Sequence, residues 1–492
     1  MSRKWTGLKG RLWRGRGRVP PDALSGTPYP PLVRRLLWLR GVRTPHEARI
    51  FLGEERREHD PWLLPDVDRA VERLCRAIAY QEPIAIFGDF DVDGVTAAAL
   101  LWQAIEGLGG RALTYIPDRL QEGYGLNVEA VRFLKGLGAR ILLAADCGTT
   151  AVTEVATARA MGLDVIVLDH HSVPPELPQG AEVVNPKRRD SHYPHGDLAS
   201  VGLAFKVAAA LYEAMARPFP SDELLDLVAL GTVTDLVPLV GENRWLVQEG
   251  LRVLRRGKRI GLCALAREAG LDISKVDGWA IGWVLGPRLN AAGRLSHANR
   301  ALRLLLTRDE AEAVALAQEL DLLNRERQKQ TDAALALSYQ MIGDGPLPSL
   351  IFVGHEDFSL GVVGLVASRL CEQLYRPTFV YAVTGETVRA SGRSIPQLDL
   401  ASLLWSCGHL FVKFGGHRQA AGFTALRARL KEVEEGLQSQ AAHLLKGIDL
   451  TPTLEVDAQL PLNSLRGEIL RWLQRMDPYG PGNPEPVFLA RG

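Results

Sequence analysis

Cysteine is scarce and scattered in this sequence. Its five cysteines, Cys75, Cys147, Cys263, Cys371 and Cys407, are odd in number and never form a Cys-x-x-Cys pair. That excludes a disulfide framework and a cysteine-held zinc site as organising features, and a reducing, cytoplasmic compartment is expected. Long apolar runs are missing as well: nothing approaches the roughly 20 residues needed to span a bilayer. The basic, Gly-rich start through Arg18 contains no apolar segment of the kind that directs export. Net charge is nearly absent, since 58 Lys and Arg against 57 Asp and Glu leave +1. No global field therefore draws a polyanion, and any nucleic-acid contact has to come from local groups. The basic run Arg11, Arg14, Arg16 and Arg18 is read as a solvated, partly disordered tail. There is no internal repeat and no low-complexity tract.

What is present is a chain of 492 residues, too long for a single core, which stops growing near roughly 250 residues, so two to four domains of a multidomain soluble enzyme are expected. Residues 28 to 80 read as short helices forming a lead-in. From residue 84 apolar strands alternate with helical segments: strands Ile84 to Gly88, Ala112 to Ile116, Ile141 to Ala145, Val165 to Leu168 and Val183 to Val184, with helices Val95 to Leu108, Asn127 to Leu137 and Thr153 to Met161. That alternation predicts parallel β-α-β units. Residues 198 to 340 are mostly helical, and Asp309 to Met341 reads as one long helix of the kind that bridges domains. A second α/β segment runs from Ser349 to about Phe423, followed by a charged helix, Lys431 to Leu445. The alternation around Thr453 to Asp457 and the run Val487-Phe488-Leu489 suggest a third, β-rich unit that looks cut short at Gly492. The boundaries expected are 1–65, 66–305, 306–345, 346–446 and 447–492.

Three strands end in acids. The first runs into Asp89-Phe90-Asp91-Val92-Asp93-Gly94, where positions i, i+2 and i+4 of an extended chain would share one side. Unpaired carboxylates that close repel one another, and a divalent cation is the simplest compensation. Two further strands end in Asp146-Cys147-Gly148 and Asp169-His170-His171, and strand ends converge on one site in an open α/β sheet. Imidazole beside carboxylates suits Mn²⁺, Zn²⁺ or Fe²⁺ better than Mg²⁺ alone. Asp235, at the end of Gly231-Thr232-Val233-Thr234-Asp235, is either one more ligand or a helix-ending residue. Five to seven O and N donors exceed one ion's needs and fit two ions about 4 Å apart, an arrangement used for in-line hydrolysis of phosphoesters.

In order and spacing these segments resemble the DHH phosphoesterase superfamily, and within it the family of exonucleases specific for single-stranded DNA. The likeness extends through Gly123-Tyr124-Gly125, Val184-Asn185-Pro186, Gly202-Leu203-Ala204-Phe205-Lys206, Gly231 to Asp235 and Gly286-Pro287-Arg288-Leu289-Asn290-Ala291-Ala292-Gly293-Arg294. In the second lobe it continues through Ala390-Ser391-Gly392-Arg393-Ser394 and Gly415-Gly416-His417-Arg418-Gln419-Ala420-Ala421-Gly422. It covers roughly residues 40 to 490. The resemblance implies a parallel-sheet DHH domain joined by the long helix to a smaller α/β DHH-associated domain, with a partial OB-like β segment at the end. The lobes would enclose a cleft too narrow for duplex.

By the same resemblance the activity is 5′ to 3′ exonucleolysis of single-stranded DNA by two Mn²⁺ or Mg²⁺ ions, releasing 5′-mononucleotides in DNA repair and recombination. One ion would be held by Asp93, Asp146, His170 and Asp235. The other would be held by Asp91 with Asp146 bridging, and Asp89 would be a ligand or close beside one. His171 would contact the scissile phosphate. Arg288, Asn290 and Arg294 would reach phosphate oxygens. Arg119, Ser391, Arg393, Gly416 and His417 would hold the 5′ end and adjacent backbone. As aromatics, Tyr124 and Trp405 are candidates for stacking on bases. Trp405 is read as a buried core aromatic. Ser200 stands where the family more often has Gly or Ala, with little consequence expected. The implied protein partners are a single-strand-binding protein and a helicase of the RecQ type, acting on a monomer.

Two other readings remain. A hydrolase of short oligonucleotides, pAp, cyclic dinucleotides or pyrophosphate is opposed by the long helix and OB-like tail. A catalytically inactive replication scaffold is opposed by the retention of every expected acid and histidine.

Overall fold

The computed structural model describes residues 4–6 and 11–490. The first residues of the basic tail, residues 1–3 and 7–10, and the chain end expected to truncate the β-rich unit, residues 491–492, lie outside the described residues. The chain forms two units. The larger comprises residues 16–323 and 456–492, the smaller residues 1–15 and 324–455.

In the larger unit five strands, β1 (Pro83–Gly88), β2 (Arg111–Tyr115), β3 (Ile141–Ala145), β4 (Asp164–Leu168) and β5 (Ala181–Val184), form a sheet in the order β2-β1-β3-β4-β5. Every pairing is parallel. Side chains of β1 alternate between two cores. Ile84 and Ile86 pack with α1 (Val92–Gly107), α2 (Ser200–Ala214) and α3 (Ser221–Thr234), while Ala85 and Phe87 pack with the helices Val128–Gly136 and Val152–Ala160. Covering both faces is what makes these strands read as unbroken apolar runs. From β1 the chain winds outward to β2 and then returns to the other side of β1 at β3. The carboxyl ends of β1 and β3 therefore flank the switch point where such sheets bind ligands.

α1 begins at Val92 rather than at the expected Val95, because Asp91 caps it and accepts from the amides of Asp93 and Gly94 at 3.0 and 3.2 Å. The expectation of three acids on one extended face is thus corrected: the strand stops at Gly88, and Asp93 lies in the first helical turn. α4 (Gly241–Leu254) packs on α3 and carries the buried Arg244, and α5 (Gly286–Leu295) carries the Gly-Pro-Arg segment.

Residues 456–490 pack against the N-terminal helices of the same unit. Arg40 donates to Asn483 Oδ1 at 2.7 Å and to the Pro484 carbonyl at 2.6 Å, and Met476 sits in the core formed by Val33, Leu36, Leu37 and Phe51. The basic tail is not a free tail where it is described. Leu12–Gly15 forms a strand beside Thr453–Val456, and Arg14 pairs with Glu455 at 3.0 Å, so backbone pairing orders this segment while the side chains of Arg11, Arg14 and Arg18 stay exposed.

α6 (Glu310–Ile342) is a continuous helix of 33 residues through the position at which the units divide. The smaller unit's sheet has the order β9-β10-β8-β7-β6, from β6 (Ile351–His355), β7 (Thr378–Thr384), β8 (Thr387–Arg393), β9 (Lys413–Gly416) and β10 (Ala420–Leu426). Only β6 and β7 pair in parallel within it. α7 (Val363–Leu374) lies against this sheet. α8 (Leu400–Ser406) buries Leu400, Leu403 and Leu404 and leaves Trp405 on its outer side, 76% exposed and edge-on to Phe414. The expectation of a buried Trp405 is therefore corrected: helical periodicity places it one step off the apolar stripe.

Candidate metal centre

Each strand of the switch point delivers an acid as its hydrogen-bonding ends. Asp89 follows β1 and is 2% exposed, with Oδ1 lacking any hydrogen-bond partner. Asp93, 1% exposed, points its carboxylate at the start of α2, where Oδ2 accepts from the Ser200 amide at 2.7 Å and Oδ1 from the Val201 amide at 2.9 Å. The helix N-terminus stabilises that negative charge. Asp146 follows β3 with φ at +66°, a region costly for a residue other than glycine. Its Oδ1 accepts from the Ser200 hydroxyl at 3.0 Å.

Asp235 stands at the end of α3. α3 approaches α1 so closely at Gly231 that a Cβ there would lie 3.0 Å from Asp93 Oδ1. A carboxylate at a helix C-terminus faces the negative end of the dipole. Helix ending alone therefore gives no reason for its presence, and its buried Oδ2 has no hydrogen-bond partner.

His170 is buried, and neither ring nitrogen has a hydrogen-bond partner. Its Nε2 lies 3.4 Å from Asp146 Oδ1 and 3.6 Å from Asp235 Oδ2. His171 is different: its Nδ1 is 2.7 Å from Asp169 Oδ1, and its Nδ1 and Nε2 lie 3.3 and 3.4 Å from the Tyr124 hydroxyl. Asp169 is itself held by the amides of Thr149 and His171, each at 3.0 Å. Asn185 ties the same loops together, donating to Thr149 Oγ1 and to the His171 carbonyl.

Among the described residues, three groups bring ligand atoms within 4.8 Å of one another: Asp146 with His170 and His171, Asp93 with His170 and Asp235, and Asp89 with Asp91 and Asp146. Burial, reinforced by the neighbouring carboxylates, pushes Asp93 up to about 7 and Asp235 up to about 9, and raises Asp89 and Asp146 well above the usual carboxylate range. Burial also pushes His170 down to about 3, which keeps it neutral and able to ligate. Asp169 goes the other way. Burial opposes its charge, but the hydrogen bond and charge of His171 outweigh that and hold its carboxyl below the usual range. Burial likewise opposes the charge on His171, and Asp169 overrides it, so that His171 is raised. The Asp169–His171 pair is compensated internally by opposite charge. The remaining acids, with orphaned donor atoms on Asp89, Asp235 and His170, fit divalent cations held by mixed N and O donors.

The other predicted residues divide between the units. Tyr124 adjoins His171, and Arg119 lies over the Phe90 ring at 4.7 Å. Arg288 donates to Asp321 Oδ1 and the Val284 carbonyl, both at 2.9 Å, and is 16% exposed. It shares α5 with Asn290 and Arg294, and a Cβ at Gly293 would come within 2.6 Å of the Phe90 carbonyl, so this helix presses on the acidic loop. Ser391, Arg393, Gly416 and His417 belong to the smaller unit. There Arg393 donates to Ser391 Oγ at 3.2 Å, and a Cβ at Gly364, in the first turn of α7, would lie 3.1 Å from Ser391 Oγ. The His417 amide donates to the Ala420 carbonyl at 2.7 Å, and Gly416 adopts φ +139°.

Sequence reasoning assigned no role to Thr149 or Asn185 and expected little of Ser200. The acids and histidines carried a signal in their charge. A hydroxyl or amide supporting a ligand through space leaves none beyond its proximity to a motif.

The DHH family, N-terminal domain, matches residues 83–232, the DHHA1 domain residues 347–443 and the RecJ OB domain residues 456–492. The single-stranded-DNA-specific exonuclease RecJ of Escherichia coli K12 is 36% identical over 98% of this chain and 87% of its own length. The Bacillus subtilis RecJ is 39% identical over 94% of this chain, which spans only 58% of that relative's length. Among solved structures, RecJ from Thermus thermophilus in complex with Mn²⁺ superposes with a TM-score of 0.84 at 31% identity, over 96% of this chain and 68% of the other. An exonuclease RecJ bound to manganese superposes at 0.70 and 34% identity, over 79% and 98%.

Proposed function

This chain belongs to the RecJ family of DHH phosphoesterases, and from that premise we propose that it is a metal-dependent exonuclease that degrades single-stranded DNA from the 5′ end, releasing 5′-mononucleotides. The observation that carries the reading is His170, buried with both ring nitrogens unpartnered between Asp146 and Asp235 at the switch point of the sheet.

Asp93, Asp146, His170 and Asp235 would hold one divalent ion, and Asp89, Asp91 and Asp146 the other, Mn²⁺ or Mg²⁺. Such ions, when bound, would supply activation of water and neutralisation of negative charge on a phosphodiester. Asp169 holds His171 through Nδ1, which directs Nε2 to the scissile phosphate, and the Tyr124 hydroxyl limits the ring's rotation. Asp321 and the Val284 carbonyl pre-set the Arg288 guanidinium, so that less side-chain freedom is lost when it meets phosphate. Asn290 and Arg294 extend that contact along the backbone. Arg119 binds the 5′ end in the larger unit. In the smaller unit Ser391 and Arg393, with the start of α7, and Gly416 with His417 bind backbone phosphate. The cellular setting is cytoplasmic DNA repair and recombination by a monomer, with a single-strand-binding protein and a RecQ-type helicase as partners.

The test uses purified protein with Mn²⁺ and a single-stranded oligonucleotide labelled at its 3′ end. A ladder shortening from the 5′ end is expected, absent with duplex, with a blocked 5′ end and in Asp146→Ala. Hydrolysis confined to dinucleotides or pAp overturns the substrate assignment, and binding without hydrolysis overturns the enzymatic one.

A further inference from the structure

Serine within a helix ordinarily turns its hydroxyl to solvent or to the backbone of its own helix. Ser200 does not. It is the first residue of α2, is fully buried, and turns its hydroxyl to Asp146 Oδ1 at 3.0 Å while its amide meets Asp93 Oδ2 at 2.7 Å. One residue thus touches two carboxylates that arrive from different elements, the end of β3 and the first turn of α1. Among the described residues, the Ser200 hydroxyl is the hydrogen-bond donor on the Asp146 carboxylate. His170 Nε2 lies 3.4 Å from the same oxygen, beyond the 3.0 Å of the Ser200 hydroxyl. Asp146 needs such support. Its φ of +66° puts it outside the conformations in which helix or strand neighbours fix a side chain.

We propose that Ser200 is a positioning residue of the metal centre, whose hydroxyl fixes the direction of the Asp146 carboxylate and thereby sets the affinity for divalent cations. This rests on the ligand assignment proposed above. Partners of ligating carboxylates commonly change metal affinity by about tenfold or more when removed. The two contacts of Ser200 separate cleanly, because alanine and glycine keep the amide that serves Asp93 and remove only the hydroxyl that serves Asp146.

The experiment measures Mn²⁺ binding by calorimetry and by the EPR signal of free Mn²⁺ for the wild type, Ser200→Ala, Ser200→Gly and Asp146→Ala. The same preparations are assayed for the Mn²⁺ dependence of oligonucleotide cleavage. Expected is Mn²⁺ binding about tenfold weaker in both Ser200 variants, equal between them although glycine and alanine differ in helix propensity. The Mn²⁺ concentration for half-maximal cleavage should rise by the same factor, and kcat at saturating Mn²⁺ should change less. Binding within twofold of wild type in either variant overturns the proposal, as does a loss that follows the order of helix propensity. Weakened Mn²⁺ binding without DNA cleavage by the wild type leaves Ser200 in place and removes the exonuclease reading. Cleavage by the wild type with unchanged Ser200 variants does the reverse.

Discussion

The acids at the switch point are held in a state that water would not tolerate and a cation would. Asp93 is pushed up to about 7 and Asp235 to about 9, against about 3.9 in an unfolded chain. Between those limits the folded protein binds more protons than the unfolded one. The stability these groups contribute is therefore complete below the unfolded value and is lost as pH rises through the folded ones. Above pH 7 His170, lowered to about 3, titrates in neither state and does not oppose the trend. Protein stripped with a chelator should melt at a lower temperature at pH 9.5 than at pH 7, and saturating Mn²⁺ should abolish the difference by replacing the protons. A stripped protein whose melting temperature is flat or rises over that range contradicts the account. The acids themselves were legible in the sequence, because several carboxylates gathered at the ends of neighbouring apolar strands repel one another unless a cation compensates them. Their arrangement was not. Asp91 caps a helix and Asp93 lies inside it, a local competition between strand extension and capping that alternation cannot resolve.

At the scale of elements, buried polar side chains join helices to irregular segments. Arg244 on α4 is 2% exposed and donates to the carbonyls of Phe51, Met476, Asp477 and Pro478 at 2.7 to 3.0 Å. It satisfies backbone acceptors that no regular structure reaches. Arg244→Ala would leave several of them buried and unpaired at about 1 to 3 kcal/mol each. A loss of about 3 kcal/mol or more in chemical denaturation is expected, with faster amide exchange in residues 456–492. A loss below about 1 kcal/mol would mean that water reaches those carbonyls. The strands and helices of the sheet were legible from period and capping to within a few residues. This connection was not, because an arginine bonded to carbonyls in another segment has the same sequence signature as a solvated one.

At the scale of the molecule, the two units carry separate cores. The larger gathers its apolar side chains around the parallel sheet, and the smaller gathers Phe379, Phe423, Leu403 and Leu437 around its own. Such chains unfold in more than one step. Scanning calorimetry should resolve two transitions, and Mn²⁺ at a hundredfold excess over its Kd, worth about 2.7 kcal/mol, should raise only the transition of the larger unit, which contains every ligand candidate. A shift of both transitions together would contradict this placement. The sequence by itself determined the parallel sheet, the acids and histidines at its strand ends and the long helix, because periodicity and charge are properties of neighbours along the chain. The tertiary structure alone decided that Ser200 meets Asp146, that Gly231 lets Asp235 approach Asp93, that Trp405 faces solvent and that residues 456–490 pack on the N-terminal helices. Those outcomes depend on which atoms come within a few ångströms across distant stretches of chain, and no local pattern encodes that.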